Sequence, residues 1–157
     1  HRDRRHLVRP RLDGAHADPR MKELCFFVPG IPAPQGSMRA FMRPGARFPV
    51  VTADNPKTKP WRASVAYTAS QEYTGAPIEG AVAVGLTFLM PRPKSAPKRV
   101  TEPTKKPDLD KLVRAVFDAL KGITWHDDAQ VTNLSASKQF QVSSSTGCWV
   151  QIQEIAP

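Results

Sequence analysis

Residues 106–131, KPDLDKLVRAVFDALKGITWHDDAQV, gather five of the 14 acidic residues of a chain that is otherwise strongly basic. Within them Leu109, Leu112, Val113, Val116, Phe117 and Leu120 recur at i, i+3, i+4, i+7, i+8 and i+11, one apolar face of an α-helix. Pro107 disfavours helical geometry at Lys106, Asp108 suits an N-cap and Gly122 suits a stop, so the spacing predicts a helix over 108–121. Asp110, Arg114 and Asp118 follow at i, i+4 steps on its polar face, where Asp118 can pair with Arg114. Asp108 and Asp110 stand at the helix start, where the dipole favours negative charge. A short turn then leads into 131–142, which reads as a strand.

Asp127 and Asp128 lie in that turn. Should the chain fold back along the helix, Asp108, Asp110 and one of Asp127 or Asp128 converge as hard oxygen ligands, of the kind that hold Mg²⁺ or Mn²⁺ with several waters retained. Taken singly, each acid has a plainer reading. An Asp at a helix N-terminus is a cap worth about 1 kcal/mol, and an Asp-Asp pair in a turn is solvated. The combination of D-x-D, an amphipathic helix and D-D-A-Q after a short interval favours the metal site.

Working outward, residues 22–29 form an expected strand, and 36–52 an irregular or hairpin region with Phe48 in the core and Phe41 near the surface. Residues 56–73 read as a helix with Trp61, Val65 and Ala69 inward; the alternating Val82, Val84, Leu86 and Phe88 make 80–90 the clearest strand. Runs 131–142 and 147–155 flank Ser143-Ser144-Ser145-Thr146-Gly147, a hairpin signature. The order predicts an α/β (α+β) domain over 21–157: a mixed sheet with two main helices on one face. Residues 1–20, with six Arg and three Asp, read as a leader that is not native or is disordered, with Met21 as the native start.

The formal net charge of +9 makes a polyanion the default partner. Much of the charge lies in 91–106, PRPKSAPKRVTEPTKK, where Arg92, Lys94, Lys98, Arg99, Lys105 and Lys106 face the single acid Glu102. Four prolines keep this stretch out of regular structure, so it reads as a basic flexible loop leading directly into Asp108 and placed to grip a DNA backbone. Arg39, Arg43, Arg47, Lys57 and Lys59 form a second basic region, interleaved with Phe41 and Phe48, which either stack on unpaired bases or pack inward. Lys138 is positioned to point into the site, whereas His126 reads as a surface histidine. Cys25 and Cys148 sit in apolar strand patterns and read as reduced core residues; no zinc pattern is present. No apolar stretch is long enough to span a bilayer, and a cytoplasmic location is expected.

Asp108-Leu109-Asp110-Lys111-Leu112, the helix, and Asp127-Asp128-Ala129-Gln130-Val131 together closely resemble the hallmark of RusA-type crossover junction endodeoxyribonucleases, D-[LI]-D-N-L followed by D-D-x-Q. The N-terminal apolar run and its proline-rich turn, Pro29 to Ser37, resemble the start of such proteins. The resemblance implies metal-binding roles for Asp108, Asp110 and Asp128, with Asp127 supporting the turn or ligating directly. It implies a catalytic basic residue at Arg114, where the family usually has lysine. Arginine keeps the charge but does not readily shuttle a proton, so a phosphate or transition-state contact is the expected role. Lys111 replaces the usual asparagine, and either pairs with Asp108 or touches a DNA phosphate. The implied protein is a Mg²⁺-dependent homodimer, with Mn²⁺ as a substitute, that nicks opposed strands of four-way (Holliday) junctions to leave 5′-phosphate and 3′-hydroxyl ends. Two other readings stand beside it: a binding module for branched DNA without catalysis, and a nuclease acting mainly on flaps.

Overall fold

Val82–Met90 is the strand on which the sheet is built. In the computed structural model, which describes residues 22–36, 38–53, 55–143 and 145–157, this strand has partners on both sides. In chain order the elements are β1 (Glu23–Pro29), β2 (Met38–Phe41), β3 (Val50–Ala53), α1 (Thr58–Glu72), β4 (Val82–Met90), α2 (Leu109–Leu120), a 3₁₀ turn (Asp128–Gln130), β5 (Val131–Phe140) and β6 (Gly147–Glu154). The four-stranded sheet runs β1-β6-β4-β5, with β5 parallel to β4 and β6 antiparallel to both β4 and β1. It is therefore the expected mixed sheet, with α1 and α2 packed on each other and onto it. The expected leader and Met21 lie outside the described residues.

The core joins the helices to the inward side of the sheet. Val82, Val84, Leu86 and Phe88 are all buried, as their alternation requires, and meet Leu112, Val116 and Leu120 of α2 and Trp61, Val65 and Ala69 of α1 in one cluster. At about 25 cal/mol per Å² of apolar surface, each such side chain contributes roughly 1.5–3 kcal/mol, so the sheet and α2 are held as one body. Gly122, at φ +84, ends α2 where the sequence placed the stop.

The expected β5–β6 hairpin is not formed: β4 lies between the two strands, and the 141–146 connection crosses its end, tied by Gln141 N–H to the Met90 carbonyl at 2.8 Å. Burial explains the order. β6 has Cys148, Val150 and Ile152 buried on one face and Gln151 and Gln153 buried on the other, which suits an interior strand. β5, VTNLSASKQF, has no fully buried residue and takes the edge. The Ser-rich turn marked a reversal of direction without specifying which strand lies alongside. Gly147 is needed for close approach, since a Cβ there would collide with the Val28 carbonyl oxygen on β1.

The 36–52 region contains a hairpin, β2 paired with β3, that forms a sheet of its own. Phe41 is exposed as expected. Phe48 is not in the core: it is 77% exposed, because the hairpin has no second layer to receive it.

Candidate active site

Asp108 occupies the N-cap position of α2 with extended backbone (φ −70°, ψ 139°), and its carbonyl accepts the first helical hydrogen bond, from Leu112. Its carboxylate makes no capping bond. It lies instead 3.5 Å from Lys111 Nζ, with about half of the side chain exposed, so the pairing with Asp108 that was one of the two roles open to Lys111 is made. Asp110, in the first turn, is exposed and has no ion pair or hydrogen bond among the described residues. The positive end of α2 thus presents two carboxylates that the backbone does not use.

The second acidic pair is divided in role. Asp127 is the capping acid: its side chain accepts from Ala129 N–H at 2.9 Å, and Gln130 completes the capping box. Gln130 Oε1 accepts from the backbone of His126 and Asp127 (2.8 and 2.9 Å), while its Nε2 donates to the carbonyls of Ile78 and Gly80 (2.7 and 2.9 Å). One amide therefore fastens the turn to the segment that precedes β4. Asp128 is set by Trp125, whose indole Nε1–H donates to Oδ1 at 2.9 Å. Trp125 is itself buried and packed edge-on against Phe117 of α2, with ring centroids 5.4 Å apart. His126 pairs with Glu79 at 3.0 Å on the surface.

The acidic pairs bracket α2. Twelve residues at 1.5 Å each separate its ends by about 18 Å, and among the described residues no group of three His, Cys, Asp or Glu side chains is close enough to hold a metal ion. Arg114 and Asp118 are both exposed on the polar face of α2, with no ion pair between them among the described residues, so the expected i, i+4 pair is not made.

Asp108 opens onto a cleft of about 870 Å³ between the 31–36 segment and the 91–107 loop. Lys105, Lys106, Lys111 and Lys138 line it beside Asp108, and prolines supply much of the rest. The loop is braced from within: Arg92 donates to the carbonyls of Val100 and Pro97 (both 2.8 Å), with its guanidinium over the Phe140 ring. Arg92 is thus occupied in shaping the loop, while Lys94, Lys98 and Arg99 are distributed around it. Lys138 Nζ, from β5, donates to the carbonyls of Lys105 and Pro107 at 2.8 and 2.9 Å, fixing the loop where it enters Asp108. Arg39 belongs to β2, and Arg43 is exposed in the hairpin tip, outside the described lining of this cleft.

Sequence reasoning assigned no role to Trp125 or to the Gln130 amide. The signal for Gln130 was its place as N3 of a turn capped by Asp127; for Trp125 it was a bulky indole three residues before an acid.

Two comparisons bear on this arrangement. Residues 29–153 match the family described as endodeoxyribonuclease RusA, a span containing the D-x-D, α2 and the D-D-A-Q turn. The chain is also 35% identical over 141 residues to the uncharacterized protein YqaN of Bacillus subtilis (strain 168), covering 83% of this chain and 96% of that one. The matched span takes in both helices, β4, β5, nearly all of β6 and the motif, and the chain belongs to the RusA endodeoxyribonuclease family.

Proposed function

We propose that the protein is a metal-dependent endonuclease that resolves four-way DNA junctions as a homodimer. The observation that carries the reading is Asp108: a carboxylate at the N-cap position that makes no cap bond, sits beside Asp110, and faces a lysine-lined cleft. A group that only capped the helix would turn back to the backbone, as Asp127 does.

The donor set fits a hard divalent cation. Asp108, Asp110 and Asp128 offer only carboxylate oxygens, with no thiol or imidazole among them, which suits Mg²⁺ or Mn²⁺. When bound, the cation would polarise a phosphate oxygen and acidify a water at the scissile bond. Lys105, Lys106 and Lys111 would hold the DNA backbone along the cleft without reading sequence. Arg114, one turn beyond Asp110 and exposed, would contact the phosphate as negative charge grows there. Lys138 and Trp125 would keep Asp108 and Asp128 in place.

The length of α2 bears on assembly. Asp108 and Asp110 at one end and Asp128 at the other are too far apart to share an ion within one chain, so the third carboxylate would come from a second copy. Two such composite sites, related by two-fold symmetry, would place one nick on each of two opposed strands.

The test is cleavage of a mobile four-way junction, beside linear duplex and flap controls, with EDTA, Mg²⁺ or Mn²⁺. Paired, ligatable nicks that need metal and disappear in Asp110→Asn, with junction binding retained, are expected. Tight binding without cleavage under any metal would refute the catalytic reading, and preferential flap cleavage would change the substrate.

A further inference from the structure

We infer that the β2–β3 hairpin is a base-stacking wedge, with Phe48 as the ring that meets an unpaired nucleobase at the branch point of the DNA. The inference rests on the nuclease reading above and names a contact that reading does not need.

Four large apolar side chains stand in solvent on this small element: Phe41 (44% exposed), Met42 (59%), Phe48 (77%) and Val51 (50%). The pairing register sets Phe41 and Val51 on opposite faces of the ribbon, so exposed apolar groups are concentrated in this segment without either face being covered. A two-stranded hairpin is marginal by itself, so leaving its apolar side chains uncovered calls for an occupant. The tip is nevertheless shaped: Gly45 takes φ +82°, and Ala46 N–H closes a turn onto the Arg43 carbonyl at 2.9 Å. Phe48 stands two residues beyond that turn.

Charge selects the occupant. Residues 38–53 hold Arg39, Arg43 and Arg47 and no acidic residue. An apolar protein surface closing over Phe48 would bring the neighbouring guanidinium groups of Arg43 and Arg47 with it and desolvate them. Nucleic acid instead offers a π face for the ring and phosphates for the arginines that precede it. In an intact duplex that face is occupied by the next base pair. At a branch point stacking is interrupted, and apolar side chains that enter base steps are a known means of holding DNA open.

Location supplies an independent argument. Both roots of the hairpin lie on the cleft that opens at Asp108: Gln35 and Gly36 precede β2, Asn55 and Lys57 follow β3, and all four line it. Gln35 N–H is bonded to the Lys111 carbonyl at 2.9 Å, so the hairpin's first root is tied to the helix turn carrying Asp108 and Asp110. DNA lying in the cleft would run past the base of the hairpin, with the wedge near the point of strand exchange.

The experiment uses the full chain in EDTA, where no cleavage intervenes, and reads permanganate oxidation of thymines at the branch point of a four-way junction. Wild-type protein is expected to enhance that reactivity, Phe48→Ala to lose the enhancement while keeping its melting temperature, and Phe48→Trp to retain it. With metal restored, Phe48→Ala should cut junctions about tenfold more slowly, the effect of losing one base–aromatic stack. Unchanged permanganate patterns and rates in Phe48→Ala would overturn the wedge and leave the nuclease reading intact. A wild-type protein that neither binds nor cuts branched DNA would remove both. A shift from dimer to monomer in Phe48→Ala, seen by sedimentation, would assign the surface to a second copy and also overturn the wedge.

Discussion

Trp125 and Asp128 are joined by a 2.9 Å hydrogen bond in which a fully buried indole aims a half-buried carboxylate. Replacing Trp125 by Phe keeps a ring against Phe117 but removes the donor. Junction cleavage should fall about 10- to 100-fold, the usual cost of losing a partner that orients a metal ligand. Junction affinity in EDTA should change little, and raising the metal concentration should restore part of the rate; an unaltered metal titration would show that the indole does not set Asp128.

A composite site predicts complementation. Asp110→Asn and Asp128→Asn should each be inactive as homodimers. Once subunits exchange, a mixture should recover nicking, because one of the two sites in a mixed dimer regains all three carboxylates. The recovered product should be single nicks without paired resolution. Continued inactivity after verified exchange would locate each site within one chain.

Lys138 ties β5 to the root of the basic loop through two carbonyls, and Lys138→Met should free that root at a cost of about 1 kcal/mol. Hydrogen exchange should rise across 103–107, and junction affinity should drop with it. Removing Lys105 and Lys106 together would differ: binding should weaken uniformly over DNA sequences, and the slope of log affinity against log salt should flatten by about two. A salt slope identical to wild type would mean those lysines do not touch phosphate.

Gln130→Leu removes four hydrogen bonds while keeping similar volume. The turn backbone and the Ile78 and Gly80 carbonyls lose a common partner, and a loss of about 1–3 kcal/mol in stability is expected from chemical denaturation. Cleavage should fall further than stability accounts for, because Asp128 begins that turn.

Burial pushes the Cys148 thiol well above its ordinary pKa, a backbone hydrogen bond at Thr87 opposing this only in part. The native thiol remains protonated at neutral pH, and since thiolate is the reactive form, peptide mapping after treatment with an alkylating reagent should find Cys148 unmodified until the protein unfolds. The sign of the pH effect follows. The thiol is protonated in both states at neutral pH, so it adds no slope there. As the solution becomes alkaline enough to ionise it in the unfolded chain alone, stability should decline, and Cys148→Ala should flatten that decline.

Periodicity made α2 legible to within one residue at each end, and alternation made β4 legible to within two, because both elements bury one regular face in the same core. The D-x-D and D-D-A-Q residues were legible as a motif, but their division of labour was not. Asp108 and Asp127 are both good caps by composition, and only the backbone path decides which is used as one. Strand order escaped the sequence because a turn signal reports reversal and not neighbours; β6 lies on the far side of β4 from β5, between β4 and β1. Phe48 was misplaced for a related reason: an aromatic residue between basic ones looks alike whether its hairpin lies on a core or stands apart from one.

The position of β6 also constrains how the protein is born. β6 is made after every other described element, yet it lies between β1 and β4, pairing Glu23 with Gln153 and Val82 with Glu154. The amino-terminal strand must therefore wait, unzippered, for a partner some 130 positions downstream. Without Gly147–Glu154, β1 would lose the strand that joins it to β4, and the sheet would fall into two unconnected parts.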